Sequence, residues 1–502
     1  MSRKHMDWFW IIVGIIFLLV VALVPLPGAD VLPTVTPTLT HDHELPPIGA
    51  GDPGIMIMHN WRNAPFDNLP THGSWMYWGW DQVAGDFSVV RDYLAVAAAR
   101  QEKVAISILF YPDLDMDATP PSVYAKMGWP HGWVATDQNG SGLTVTYPAW
   151  NDGQWMGYAE AMVRAFGAEF DGNPWIDSVW IGPCLYGETV TSYSKDGLKY
   201  VFGHNPRDWT LRLIDWHVEA FPTTPLYVIA TGTAGREEIV AHAVGLDVGI
   251  KFNALRGDLP NDHHQIQEGV GLVDAMLPIS NTVNTAFEHF YAATPEQTWG
   301  AMLKALWLGA DIIDLPNGHL EQLAGLDLLW GDTAWDFVHR CMWAEDYGLV
   351  VFRETAYPCT PEKWTCGYEG IWERGIKMVG ENVIQIGWTN DASGLPSEMN
   401  DSIYTAVGYG HIEEGLTATF DVSDNLKYLS NDEQLCIILV GTEGLRLIVA
   451  GETMMLDSGP GWQCSVLTIQ GGMGWDQEAF MEVSGPGYLH LITAIKSKKG
   501  RE

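Results

Sequence analysis

Basic residues are scarce in this chain. Its 502 residues hold 27 Lys and Arg against 62 Asp and Glu, a formal net charge of −35 at pH 7. That field repels nucleic acid and anionic membrane surfaces, so neither is expected as a partner of the folded part; it suits a neutral substrate, a cation, or simply the solubility of an exported protein. Cysteine is sparse too, at six residues. No two stand at CxxC spacing, which leaves no zinc signature. Cys359 and Cys366 flank "CTPEKWTC" and are the expected disulfide. Cys436 and Cys464 are candidates to bridge two late strands, and Cys184 and Cys341 to be buried free thiols. Charged residues make up only 18% against 47% hydrophobic, which excludes a mainly disordered chain. There is no solenoid-type repeat, and the length exceeds one compact core, so two domains behind an N-terminal segment are expected.

What the sequence has in abundance is tryptophan, with 24 residues. Many must be core, because the indole has a large apolar body. A Trp excess also suits sugar binding, where flat rings stack on pyranose faces.

The N-terminus is apolar. Arg3, Lys4 and His5 precede an uncharged run from Trp8 to Val24. It is long for a signal-peptide core and just long enough for a short membrane span. Residues 1–28 are therefore read as an uncleaved signal anchor with its positive end inside, or else a cleaved signal peptide. Either places the rest outside the cytoplasm, extracellular or at the cell surface, with the membrane a partner through this segment only. Residues 29–51, rich in Pro and Thr, read as an extended tether. Asn139 and Asn400 begin glycosylation sequons.

From 52 to 347, apolar runs alternate with helical periodicity. Eight runs predict strands, at 54–59, 74–80, 103–111, 176–182, 225–231, 247–253, 285–291 and 311–316. Stretches 87–102, 153–170, 206–221 and 295–310 carry apolar residues at three- and four-residue spacing and predict helices. Eight strands with intervening helices predict an α/β fold, a (β/α)8 TIM barrel; a doubly wound open sheet is the competing topology. The third strand-to-helix connection, about 111–152, is too long for an ordinary loop and carries Trp129, Trp133 and Trp150. From 348 to 502 short alternating runs separated by turn residues predict an all-β sandwich.

In a barrel, chemistry gathers at the C-terminal ends of the strands. There the sequence places His59, Trp78, Trp80, Tyr186, Glu188, Asn253, Glu288, Tyr291 and Asp314. Glycosidic cleavage needs two carboxylates flanking one bond, and Glu188 and Glu288, after strands 4 and 7, face each other across the mouth. The plain alternatives are a turn acid for Glu188 and a Glu paired with a buried base for Glu288. Asp314 lies inside an apolar strand and so is buried or functional; it is also the substitute should Glu288 fail. Trp78, Trp80, Trp129 and Trp133 divide between core packing and a sugar platform. His59, Asp314 and His319 would serve a metal-dependent hydrolase, a reading without the spacing to carry it.

The strand order, with "GPCLYGE" ending at Glu188 and "TAFEHFY" carrying Glu288, resembles the clan A retaining glycoside hydrolases. Segments 75–108 and 148–188 are similar to their β-galactosidase-like members. The resemblance implies a carbohydrate substrate, no cofactor and no metal. It implies Glu188 as acid/base and Glu288 as nucleophile, with His59, Trp78, Trp80, Trp129, Tyr186, Asn253, Tyr291 and Asp314 around the substrate. Gly187 departs from it, since these enzymes place Asn before the acid/base; the Gly-Pro…Gly-Glu turn looks instead like that of inverting β-amylases. The reading from another class is a non-catalytic carbohydrate-binding or surface protein on a degenerate barrel.

Overall fold

The structure, a computed structural model, describes residues 53–58, 73–110, 119–128, 133–136, 144–147, 152–183, 206–230, 236–255, 279–289, 294–352, 371–379, 384–387, 399, 402–449, 451–456, 459–471 and 480–498. All belong to the unit Ile48–Glu502. The N-terminal apolar run, its tether, Cys184, the Cys359–Cys366 pair and both sequons lie outside them. Among the described residues no helix is long and apolar enough to cross a membrane.

Ten strands come first: β1 (Gly54–Met58), β2 (Gly73–Gly79), β3 (Lys103–Leu109), β4 (Trp133–Thr136), β5 (Thr144–Tyr147), β6 (Ile176–Ile181), β7 (Leu226–Ile229), β8 (Gly249–Leu255), β9 (Thr285–His289) and β10 (Ile312–Leu315). Eight of them close a parallel barrel in the order β1-β10-β9-β8-β7-β6-β3-β2. β4 and β5 form an antiparallel hairpin inside the long third connection, in a stretch the sequence reading treats as loop. Their alternating Val and Thr are strand formers, but four residues each is too short a run to stand out.

The predicted helices form as Ser88–Arg100, Gly153–Phe170, Pro206–Ala220 and Pro295–Leu308. Their starts are chemically marked. The Asp152 carboxylate accepts from the amides of Gln154 and Trp155, and Thr294 caps the helix that opens on Pro295. Three shorter helices, Arg236–Gly245, Asn317–Ala324 and Ala334–Met342, were not expected. Gly167 is what lets two of the long helices touch, because a Cβ there would lie 2.2 Å from the Ala220 carbonyl oxygen.

Twelve further described strands follow: β11 (Asp346–Phe352), β12 (Ile371–Arg374), β13 (Ile376–Val379), β14 (Ile384–Gly387), β15 (Tyr409–Ile412), β16 (Thr417–Val422), β17 (Glu433–Thr442), β18 (Arg446–Val449), β19 (Glu452–Met455), β20 (Trp462–Gln470), β21 (Phe480–Ser484) and β22 (Gly487–Lys498). One antiparallel sheet runs β12-β11-β22-β15-β14, with β17 joining β22 to β20; the other runs β13-β16-β21-β18-β19. The fold is thus a TIM barrel followed by a β-sandwich. Val350, Phe352, Ile437, Leu439 and Ile492 face the second sheet, and Leu349, Val351, Ile438, Val440 and Leu491 face the barrel side. Both faces of the first sheet are covered, so β11, β17 and β22 are buried nearly throughout. The Tyr347 hydroxyl donates to the Leu306 carbonyl at 2.6 Å, and the Trp307 indole to the Glu373 carbonyl at 3.1 Å. Cys341 is a buried free thiol. Cys436 and Cys464 form no disulfide, and the register explains why: Cys436 faces Thr468, and Cys464 faces Val440.

Candidate active site

Strand alternation decides which side chains reach the barrel interior. Met56, Trp75, Ala105, Trp180, Tyr227, Ile229, Ala286 and Ile312 form the cluster inside the barrel, with Tyr77 against it. The same parity turns Ser74, Met76 and Trp78 outward. Ser74 meets the Tyr93 hydroxyl at 2.8 Å, and Trp78 meets the Tyr93 ring edge-on at 5.6 Å. Trp80 packs against Phe110 and Trp155. Both indoles are buried in the strand–helix layer, so neither is a sugar platform at the mouth. That corrects the expectation for Trp78 and Trp80. Trp75 and Tyr77, one residue out of phase, are the interior aromatics of that strand.

Three ionisable side chains converge in the interior. Lys251 on β8 has no exposure at all, and its Nζ donates to Glu288 Oε2 at 2.8 Å and to Asn253 Oδ1 at 2.6 Å. It lies 3.5 Å from Asp314 Oδ2, an ion-pair distance without hydrogen-bond geometry. The ammonium also sits 4.6 Å from the Trp75 ring centroid and 4.8 Å from that of Trp180, each a cation–π contact. Trp180 is itself fixed by donating to Ser178 Oγ at 3.0 Å. β9 and β10 pair Glu288 directly with Asp314, so the two carboxyls are neighbours on one face.

Their environments differ. Asp314 is fully buried and neither oxygen has a hydrogen-bond partner. Burial pushes its carboxyl up to about 8, with Lys251 opposing the shift and Glu288 adding to it. Burial thus favours the neutral acid at Asp314. The Glu288 side chain keeps 10% of its exposure and is the ion-pair partner of Lys251.

Glu288, Asn253 and Asp314 are thus brought together, as the sequence expects, but around a lysine it did not single out. The available signal was a lone base between Ile250 and Phe252 in an apolar strand. The alternative reading of Glu288, a carboxylate paired with a buried base, is what the geometry contains; it is compatible with chemistry at the same group. Asn253 is only 5% exposed and its carbonyl is engaged by Lys251, so it holds the lysine where a substrate contact was expected. His289 points away from the interior by alternation and packs on His319 at 4.6 Å between centroids. His59, the third residue of the metal-dependent reading, lies outside the described residues.

Glu188, Tyr186, His59, Trp129 and Tyr291 lie outside the described residues, and Trp133 is described in its backbone alone. The chain toward Glu188 is anchored where β6 ends: the Trp209 indole donates to the Pro183 carbonyl at 2.8 Å, five residues before Glu188.

No protein-family model and no curated protein matches the chain. Solved structures do. It is similar to the catalytic domain of a β-amylase from Paenibacillus polymyxa, at 12% identity over 55% of this chain and 98% of that one, with a TM-score of 0.38. It is similar to a β-galactosidase from the psychrophilic Marinomonas ef1, at 12% identity over 52% and 53% (TM-score 0.33). An endoxylanase from Clostridium papyrosolvens matches at 10% identity over 89% and 98% (TM-score 0.35).

Proposed function

We propose that the chain is a glycoside hydrolase that cleaves O-glycosidic bonds of an oligo- or polysaccharide with two carboxylates, Glu288 and Glu188. The observation that carries this is the placement of Glu288. It ends a barrel strand, it faces the interior, and it alone of the three converging ionisable groups keeps an exposed edge, with its counter-ion buried beneath it. A sugar carbon approaching the mouth would meet an oriented carboxylate. Glu188, reached a few residues beyond β6, would protonate the leaving oxygen. A separation of about 5–5.5 Å between the two carboxyls gives retention through a glycosyl-enzyme; about 6.5–9.5 Å leaves room for water and gives inversion. Retention, a β-galactosidase-like preference, and an extracellular or cell-surface location through the N-terminal segment as anchor or signal complete the reading.

A second reading has one observation in its favour. With Lys251 wholly buried and Glu288 nearly so, the group also works as a polar plug in a barrel that binds carbohydrate without cleaving it. One experiment separates the two. Purified protein is assayed on aryl glycosides and a polysaccharide panel, beside Glu188→Gln and Glu288→Gln. Hydrolysis that falls on the order of 10²-fold or more in each variant supports the enzyme. Polysaccharide binding without hydrolysis selects the second reading, and a rate unchanged in either variant removes that residue from catalysis.

A further inference from the structure

Inside the barrel one cation stands against two carboxyls on neighbouring strands. Two like charges flanking a single cation in a desolvated interior cannot both ionise without large penalty. The hydrogen bonds show how the conflict is resolved. Of the three donors of the Lys251 ammonium, two go to Glu288 Oε2 and Asn253 Oδ1, at 2.8 and 2.6 Å, while Asp314 Oδ2 stays 3.5 Å away. Asp314 receives none, although it is as deeply buried as the lysine. A carboxylate without a donor is poorly solvated, whereas a carboxylic acid tolerates that site. The rest of the interior offers Asp314 no other cation among the described residues. β2 contributes Trp75 and Tyr77, β3 Ala105 and Ser107, β6 Ser178 and Trp180, and β1 Met56. Deeper down, Tyr227 of β7 lies near Asp177 and Asp311, which are acids.

We propose that Lys251 is a positioning residue: of the two carboxyls beside it, it holds Glu288 ionised and aimed at the mouth, and leaves Asp314 as the neutral companion. Two indole rings and Asn253 fix the ammonium, so the ionised edge of Glu288 is fixed in turn. This deepens the hydrolase reading and rests on it for the kinetic consequence alone; the protonation pattern stands or falls separately.

Isotope-edited infrared spectroscopy of the full chain, with ¹³C-labelled Asp and Glu, reads that pattern directly. At pH 7 the wild type should show a protonated buried carboxyl that Asp314→Asn removes. Lys251→Met should add a second protonated carboxyl, absent when Glu288→Gln is combined with it. Where glycosides are hydrolysed, Lys251→Met should also move the acidic limb of the kcat/KM profile upward, because it removes the cation that donates to Glu288. A purely structural lysine would lower the rate and leave the limb in place. The proposal is overturned if Asp314→Asn removes no protonated-carboxyl signal, a comparison that does not depend on Lys251→Met folding, or if a folded Lys251→Met adds none. If no glycoside is cleaved but the infrared pattern appears, the hydrolase reading fails and the charge assignment stands.

Discussion

The barrel interior and the sandwich interior both exclude most water, yet they are made of different material. Between the two sheets lie Val350, Phe352, Ile412, Phe420, Val422, Leu447 and Val483, and among the described residues no Asp, Glu, Lys or Arg of the sandwich strands is buried. Inside the barrel lie Lys251, Glu288, Asp314, Asn253 and Ser178 among Trp75, Trp180 and Tyr227. Each apolar side chain in the first set contributes roughly 1.5–3 kcal/mol by leaving water. A buried ion pair does not work that way, since desolvation offsets much of the attraction between its members. The sandwich is therefore arranged for cohesion. The barrel carries a constellation that stability alone does not explain, at the end of the strands where barrel enzymes place their chemistry.

The sharpest way to break that contrast is to cut into the sandwich. Phe420 on β16 is fully buried, and Phe420→Ala should cost about 3–5 kcal/mol in denaturant unfolding. A loss under about 1 kcal/mol would mean that this interior is loosely packed and the contrast mistaken.

Acid should weaken both regions alike. His217, on the helix Pro206–Ala220, and His490, on β22, are fully buried, and burial lowers each to about 4. Each Nδ1 donates to a backbone carbonyl, of Leu213 at 2.8 Å and of Gly408 at 2.7 Å. The unfolded chain, near 6.5, takes up these protons first. The stabilisation is full above about pH 6.5 and is lost as pH falls toward 4, on the order of 3 kcal/mol for each imidazole. Unfolding free energy measured from pH 7 to 4 should drop less in His217→Phe and in His490→Phe than in the wild type, and the two variants should be alike. An effect confined to one variant would separate the regions in their response to acid.

Replacing the charged set tests the other side. Lys251→Met, Glu288→Leu and Asp314→Val made together leave no ion to be orphaned, and should leave stability unchanged or raise it by about 1–4 kcal/mol. Any hydrolysis should vanish. A loss of several kcal/mol would show that the interior charges hold the barrel together after all.

The architecture was legible because strands of a parallel barrel are buried on both faces and read as continuous apolar runs. That same property concealed the interior. In "SWMYWGW" both faces carry large apolar side chains, Trp75 and Tyr77 on one and Met76 and Trp78 on the other, so nothing in the letters tells Trp75 from Trp78; only alternation within the closed barrel sends one inward and the other against Tyr93. Glu288 and Asp314 were visible as acids in apolar strands, and the register β9 to β10 then made them neighbours. Lys251 was overlooked because its partners come from other strands, distant in sequence and joined only by folding.

The smallest effects should come from helix caps, and they too compare the regions. Asp152 begins the helix Gly153–Phe170 and accepts from Gln154 N at 2.8 Å and Trp155 N at 3.1 Å. Trp155 then packs on Trp80 and Trp209, so this cap secures the aromatic layer around the barrel. Ser402 begins the short helix Ile403–Val407 and accepts from Tyr404 N at 3.2 Å. Tyr404 lies against Trp462 and His490 of the sandwich, and its hydroxyl accepts from Leu329 N, so this cap secures the junction. Asp152 makes two bonds and brings a negative charge to a helix N-terminus, where Ser402 makes one and brings none. Asp152→Ala should therefore cost about 1–2 kcal/mol and Ser402→Ala about 0.5–1 kcal/mol in denaturant unfolding. The caps share no partner, so the double variant should lose the sum to within about 0.5 kcal/mol. A double variant that loses much more would mean that the barrel's helical layer and the junction fold as one unit, and that their interiors differ in composition without differing in cooperativity.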